Sequence, residues 1–117
     1  MAIDDEPDVL DVISLALEDA GFKVLTASGA VEGLELFEQH RRDIKLVLLD
    51  YLMPEMTGDL VFESLQRIDP DVRVVLLTAC DDNVAKRMFT QGLRGYVQKP
   101  FYLDDLVQRV REEVEAV

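Results

Sequence analysis

Two hydrophobic patterns take turns along this chain: short unbroken apolar runs, and longer stretches in which apolar residues recur every third or fourth position. The first pattern, bounded by turn residues, reads as a strand covered on both faces, and the second as an amphipathic helix. Met1-Ala2-Ile3 opens the series as a strand. Pro7 then suits a helix first turn, with acidic residues beside it, and Val9, Val12, Ile13, Ala16, Leu17 and Ala20 keep helical spacing as far as Gly21, a plausible C-terminal stop. Residues 22–27 predict a second strand, and Ser28 the cap of a helix carrying Val31, Leu34 and Phe37. Residues 46–49 are apolar throughout and predict a buried strand. Gly58 precedes a third helix with Val61, Leu65 and Ile68 on one stripe, which Asp69-Pro70-Asp71 stops. Residues 72–78 predict a fourth strand, and Asp81, Asp82 and Asn83 offer caps for a helix ending near Gly92. Residues 95–98 form a short fifth strand. A last helix from about Asp104 turns Leu106, Val107, Val110, Val114 and Val117 inward. Five alternations of strand and helix predict an α/β fold, a doubly wound parallel sheet with helices on both faces.

Four of the strands end on residues suited to phosphate and metal chemistry. Met1-Ala2-Ile3 ends on Asp4-Asp5, residues 46–49 on Asp50, residues 74–77 on Thr78, and Tyr96-Val97-Gln98 on Lys99-Pro100. In a parallel sheet these endings share the carboxyl edge, where open α/β sheets bind ligands. Three carboxylates, a hydroxyl and an ammonium would then meet in one pocket.

Composition narrows the partners. A chain of 117 residues with 49% hydrophobic and 31% charged residues suits one globular domain, spanning 1–117. No apolar stretch approaches the roughly 18 residues of a membrane span, and no secretory segment is evident, so the expected location is the cytoplasm. The net charge of −12 disfavours direct binding to nucleic acid or to an anionic membrane. The single cysteine, Cys80, excludes an internal disulfide and any cysteine-based metal cage.

Taken one at a time, the polar strand ends have ordinary readings. Asp50 could cap a loop, Asp4-Asp5-Glu6 could be a solvated charge run, Lys99 a surface lysine, Thr78 a β-branched strand residue and Tyr96 a packed aromatic. Together they point to phosphoryl chemistry. A carboxylate fixed at the end of a buried strand can act as a nucleophile toward phosphorus. Crowded carboxylates call for a divalent cation, and Mg²⁺ accepts such oxygen ligands. Lysine suits a phosphoryl oxygen as a point charge. A cis Lys99-Pro100 bond, which the sequence leads us to expect, would turn that lysine back toward the strand ends.

At this point the chain resembles the receiver domain of two-component response regulators. The motifs are Asp4-Asp5-Glu6-Pro7, Asp50-Tyr51-Leu52-Met53-Pro54 with Gly58, Leu77-Thr78-Ala79, and Gly95-Tyr96-Val97-Gln98-Lys99-Pro100-Phe101, so the likeness covers essentially the whole sequence. The resemblance implies a flavodoxin-like, five-stranded sheet of order 2-1-3-4-5 with five helices. It implies Asp50 as phosphoacceptor, Asp5 as a direct Mg²⁺ ligand, Asp4 as its water-mediated or positioning partner, and the Leu52 backbone carbonyl as a further ligand, with Mn²⁺ able to substitute. Lys99 would bind the phosphoryl group, and Thr78 with Tyr96 would form a switch pair. The implied partners are a histidine kinase or histidine phosphotransfer domain as donor, and a downstream protein at the helix 4–strand 5–helix 5 surface. Homodimerisation stays open. The segment from Tyr96 to Phe101 resembles receivers attached to hybrid sensor kinases.

Some features depart from the family pattern. With three residues before Asp4, the first strand is a stub of about 10 Å, which bears on stability and metal affinity. Leu52 and Cys80 stand at the two positions that tune hydrolysis in the family. Neither positions water well, which implies a long-lived phosphoryl form, and Cys80 could also be an oxidisable thiol near the pocket. His40, beside Arg41-Arg42, reads as a solvated helix end. Two other functions compete: a non-phosphorylated pseudo-receiver acting as a binding module, and a metal-dependent aspartyl phosphohydrolase. The second wants another aspartate two residues after the nucleophile, where Leu52 stands, and nucleotide-binding glycine motifs do not occur.

Overall fold

In the computed structural model, which describes residues 1–79 and 82–115, the strands and helices alternate strictly. The order is β1 (Ala2–Ile3), α1 (Pro7–Asp19), β2 (Thr26–Ala27), α2 (Ala30–His40), β3 (Val47–Asp50), α3 (Gly58–Ile68), β4 (Val74–Thr78), α4 (Asp82–Phe89), β5 (Gly95–Gln98) and α5 (Leu103–Glu115). All strand pairs are parallel, in the order β2-β1-β3-β4-β5. This is the flavodoxin-like sheet that the resemblance implied, with a short first strand.

Alternation along the inner strands divides the core into two layers. Ile3, Val47, Leu49, Val74 and Leu76 face Phe37, Phe62, Leu65 and Met88 of α2, α3 and α4. Ala2, Leu48, Val75 and Leu77 face Leu10, Ile13 and Leu17 of α1 and Leu106 and Val110 of α5. Such strands must be apolar at every position, which is why they read as unbroken runs.

The helix ends follow local chemistry. Gly21 has φ +97°, Phe22 N–H donates to Leu17 O and Gly21 N–H to Glu18 O, so the glycine closes α1 in a Schellman turn. Gly92 (φ +107°) ends the turn after α4 in the same way, with Leu93 N–H on Met88 O. Ser28 does not cap α2: Gly29 holds that position, and the Ser28 hydroxyl donates to Glu32.

Other expectations change as well. The second strand covers Thr26–Ala27 rather than residues 22–27, because β1 provides no ladder beyond the bond from Ala2 N–H to Leu25 O. Val12 and Val31 are exposed, since each lies one residue, about 100° of helix rotation, from the buried stripe through Ile13 and Ala30. The expectations for Cys80, Asp81 and Val117 lie outside the described residues.

Candidate functional site

Parallel register brings the polar strand ends together. Ile3 lies opposite Leu49, Asp50 opposite Leu77 and Thr78 opposite Gln98, so Asp4, Asp50, Thr78 and Lys99 all fall at the carboxyl edge of the sheet. Asp4 and Asp50 are buried, at 0% and 5% exposure, and Thr78 is buried beside them. The Lys99 ammonium donates to both acids, at 2.9 Å from Asp4 Oδ2 and 3.1 Å from Asp50 Oδ1. Asp4 Oδ1 accepts the Glu6 backbone N–H at 2.9 Å, so one carboxylate is held from both sides. The Lys99 backbone N–H donates to Thr78 O at 2.8 Å, and the Lys99-Pro100 bond is cis, as expected from sequence.

Asp5 completes the group. One carboxylate oxygen from each of Asp4, Asp5 and Asp50 lies within 4.8 Å of the others. Three carboxylates facing one ammonium leave negative charge uncompensated, and an all-oxygen donor set of this kind fits a hard divalent cation such as Mg²⁺. The energetics agree. Burial pushes the Asp50 carboxyl up from 3.8 to about 6; the Lys99 hydrogen bond opposes this, while the charges of Asp4 and Asp5 add to it. For Lys99, burial disfavours the ammonium, yet the hydrogen bonds and charges of Asp4 and Asp50 outweigh it and hold the group above its ordinary value.

Gly58 keeps the strand end and the next helix in contact. A Cβ there would sit 2.8 Å from Tyr51 Cα and 3.0 Å from Asp50 O. Its N–H donates to Tyr51 O at 2.7 Å, tying the first residue of α3 to the turn that follows Asp50.

The remaining candidates sit farther out. Leu52 is in the turn after β3 and is 57% exposed. Tyr96 lies within β5 opposite Leu76, half-buried, with its ring edge-on to Phe89 at 6.2 Å between centroids. It is not part of the carboxylate cluster. Sequence reasoning missed that Lys99 bridges Asp4 as well as Asp50, and that the Glu6 N–H holds Asp4. The second has a sequence signal, an aspartate two residues before a helix N-terminus. The first has none, because residues 4 and 99 meet only through the topology.

The profile of the response regulator receiver domain matches residues 1–111 of this chain. The transcriptional regulatory protein GlrR of Escherichia coli K12 is 33% identical over 98% of the chain, which spans 26% of that protein. The sensor kinase CckA of Brucella abortus is 31% identical over 86% of the chain, across 11% of its own length. This chain therefore spans well under half of either relative. Among solved structures, a response regulator receiver domain protein from Clostridium thermocellum superposes with a TM-score of 0.91 at 32% identity, covering 97% of this chain and 90% of that one.

Proposed function

Because this chain belongs to the response regulator receiver domain family, we propose that it works as a phosphorylation switch, with Asp50 as the acceptor. The donor is the phosphohistidine of a histidine kinase or histidine phosphotransfer domain. The recipient of the signal is a downstream protein at the surface of α4, β5 and α5. Residues 1–117 act as one domain of a two-component system, in the cytoplasm, without direct contact to nucleic acid. The observation that carries this reading is the Lys99 ammonium bridging buried Asp4 and Asp50, with Asp5 alongside.

The residues divide the work. Asp5, Asp50 and the Leu52 backbone carbonyl would hold Mg²⁺, with Asp4 positioning it, and the cation supplies positive charge against the carboxylates and the incoming phosphoryl oxygens. An Asp50 oxygen attacks phosphorus in line. The bond from phosphorus to the donor imidazole breaks, and its electron pair leaves with the nitrogen. Lys99 exchanges its hydrogen bond to Asp50 for one to a phosphoryl oxygen while Asp4 keeps hold of it. The Thr78 hydroxyl, one strand over, donates to another phosphoryl oxygen. Tyr96, whose ring meets Phe89 of α4 edge-on, passes that movement to the outer surface, an instance of a local charge change biasing a two-state element.

A kinase domain carrying labelled phosphohistidine provides the test. Label should pass to this chain in Mg²⁺ and be released by alkali, as an acyl phosphate is. Asp50→Asn should remain unlabelled. Equal labelling of the variant would place the acceptor elsewhere.

A further inference from the structure

β5 is the last strand of the sheet, so its outer edge runs between α4, packed on one face, and α5, packed on the other. At the amino end of that edge, the far end from Lys99, two arginines share one carboxylate. Arg94 Nε donates to Glu113 Oε2 at 3.2 Å, while Arg109 Nη2 lies 3.1 Å from Glu113 Oε1 and donates to Arg94 O at 3.0 Å. Gly95 makes room for this. A Cβ there would overlap the Arg109 guanidinium, which lies where a side chain would otherwise stand. A third arginine, Arg73, donates to the Glu113 backbone carbonyl at 2.7 Å and holds that turn of α5 against the sheet. The Glu113 side chain is 12% exposed, whereas those of Arg94 and Arg109 are 47% and 32% exposed. A guanidinium carries five N–H groups. Among the described residues, both terminal nitrogens of Arg94 and Nη1 of Arg109 have no protein partner.

We propose that Arg94 and Arg109 form a clamp for the carboxylates of an acidic segment of a partner protein. Two guanidiniums on one carboxylate leave a positive charge unmatched, on a chain of net charge −12. Carboxylates are the groups that guanidinium forks pair with bidentately. Long side chains ordinarily lose rotamer freedom on binding; Glu113 and the gap at Gly95 have already fixed these two, which reduces that cost. An apolar contact adjoins the clamp. Phe89, 42% exposed, stands edge-on to Tyr96, which lies two residues along the chain from Arg94. Lys86, exposed three residues before Phe89, adds a cation on the same side of α4. The exposed acids Asp105 and Glu112, one turn either side of Arg109, are rotated toward solvent, so the cationic strip is narrow and follows β5. The clamp lies within the surface proposed above for the downstream protein and names that partner's chemistry. It rests on that reading for the partner's role alone, because none of its contacts touches the acid cluster and binding needs no phosphoryl group.

The probe is acetyl-Asp-Asp-Leu-Glu-Phe-amide, titrated at low ionic strength into the isotopically labelled 117-residue chain. No phosphoryl donor is present, so a failure to bind leaves the switch standing, and a failure of phosphoryl transfer leaves the clamp standing. The Nε signals of Arg94 and Arg109 should shift, and acetyl-Asn-Asn-Leu-Gln-Phe-amide should bind about tenfold more weakly, the loss of a charge-assisted contact. Arg94→Gln, at an exposed position, should weaken the acidic peptide by about the same factor. Arg42→Gln removes the same charge from an exposed site outside the clamp and should leave its binding unchanged. Gly95→Ala should weaken it as well, since the added Cβ displaces the Arg109 guanidinium. Shifts confined to other residues, equal binding of the two peptides, or equal losses in Arg94→Gln and Arg42→Gln would overturn the proposal.

Discussion

As the proposed phosphoryl acceptor, Asp50 would have to be ionised to attack phosphorus, yet its surroundings resist ionisation. Its carboxyl is raised from 3.8 to about 6, chiefly by burial. A raised acid contributes stability that is fully present below about pH 4 and is lost as pH rises through about 6. In the metal-free protein at pH 7, Asp50→Asn should therefore stabilise the fold by about 2 kcal/mol, and the difference should vanish near pH 4. Thermal denaturation in chelator at both pH values measures this. A destabilised variant at pH 7 would mean that the Lys99–Asp50 pair outweighs burial. Lys99 predicts the opposite sign. Lys99→Gln leaves Asp4 and Asp50 buried without their ammonium, which should cost about 3 kcal/mol in chelator. Mg²⁺ should restore more stability to this variant than to the parent, because it binds only the folded site. An unchanged midpoint in chelator would show that the two acids are not held as charges by Lys99.

Elements were legible where sequence and local backbone chemistry point the same way. The unbroken runs of β3 and β4, Pro7 at the start of α1 and Gly21 after its end all carry their own explanation. β2 was not, because residues 22–25 have strand character but only Leu25 O bonds to β1, and pairing is a property of the sheet. Val12 and Val31 misled for a related reason. Hydrophobicity marks what can be buried, while the packing surface selects Ile13 and Ala30 instead. Gly58 was visible as part of a motif, but its role in letting α3 touch the Asp50 turn appears only in three dimensions. Gly58→Ala should lower stability by about 1–3 kcal/mol, since a Cβ there meets backbone atoms that cannot easily move aside. Urea denaturation with an unchanged slope would report that loss, and a neutral result would show that the turn yields.

Across the whole molecule, one parallel sheet sets the position of every group in the candidate site. At the carboxyl edge it gathers residues 4, 5, 50, 78 and 99, which are far apart in sequence, because every strand points the same way. Hence the order Asp-Asp, Asp, Thr, Lys-Pro is informative in the sequence itself: topology converts a linear series of strand ends into a cluster. The detailed pairing was not readable, since whether Lys99 contacts Asp4, Asp50 or both depends on side-chain reach across the sheet. If the proposed function holds, the carboxyl-edge cluster suffices by itself to direct phosphoryl transfer to Asp50. Incubating the chain with Mg²⁺ and a small acyl-phosphate donor, then recording intact mass and mapping the modified peptide, tests it without any partner protein. One added phosphoryl group on Asp50 is expected, absent in chelator and absent in Asp50→Asn. A folded chain that gains no phosphoryl group, or gains one without the metal or at another residue, would contradict it.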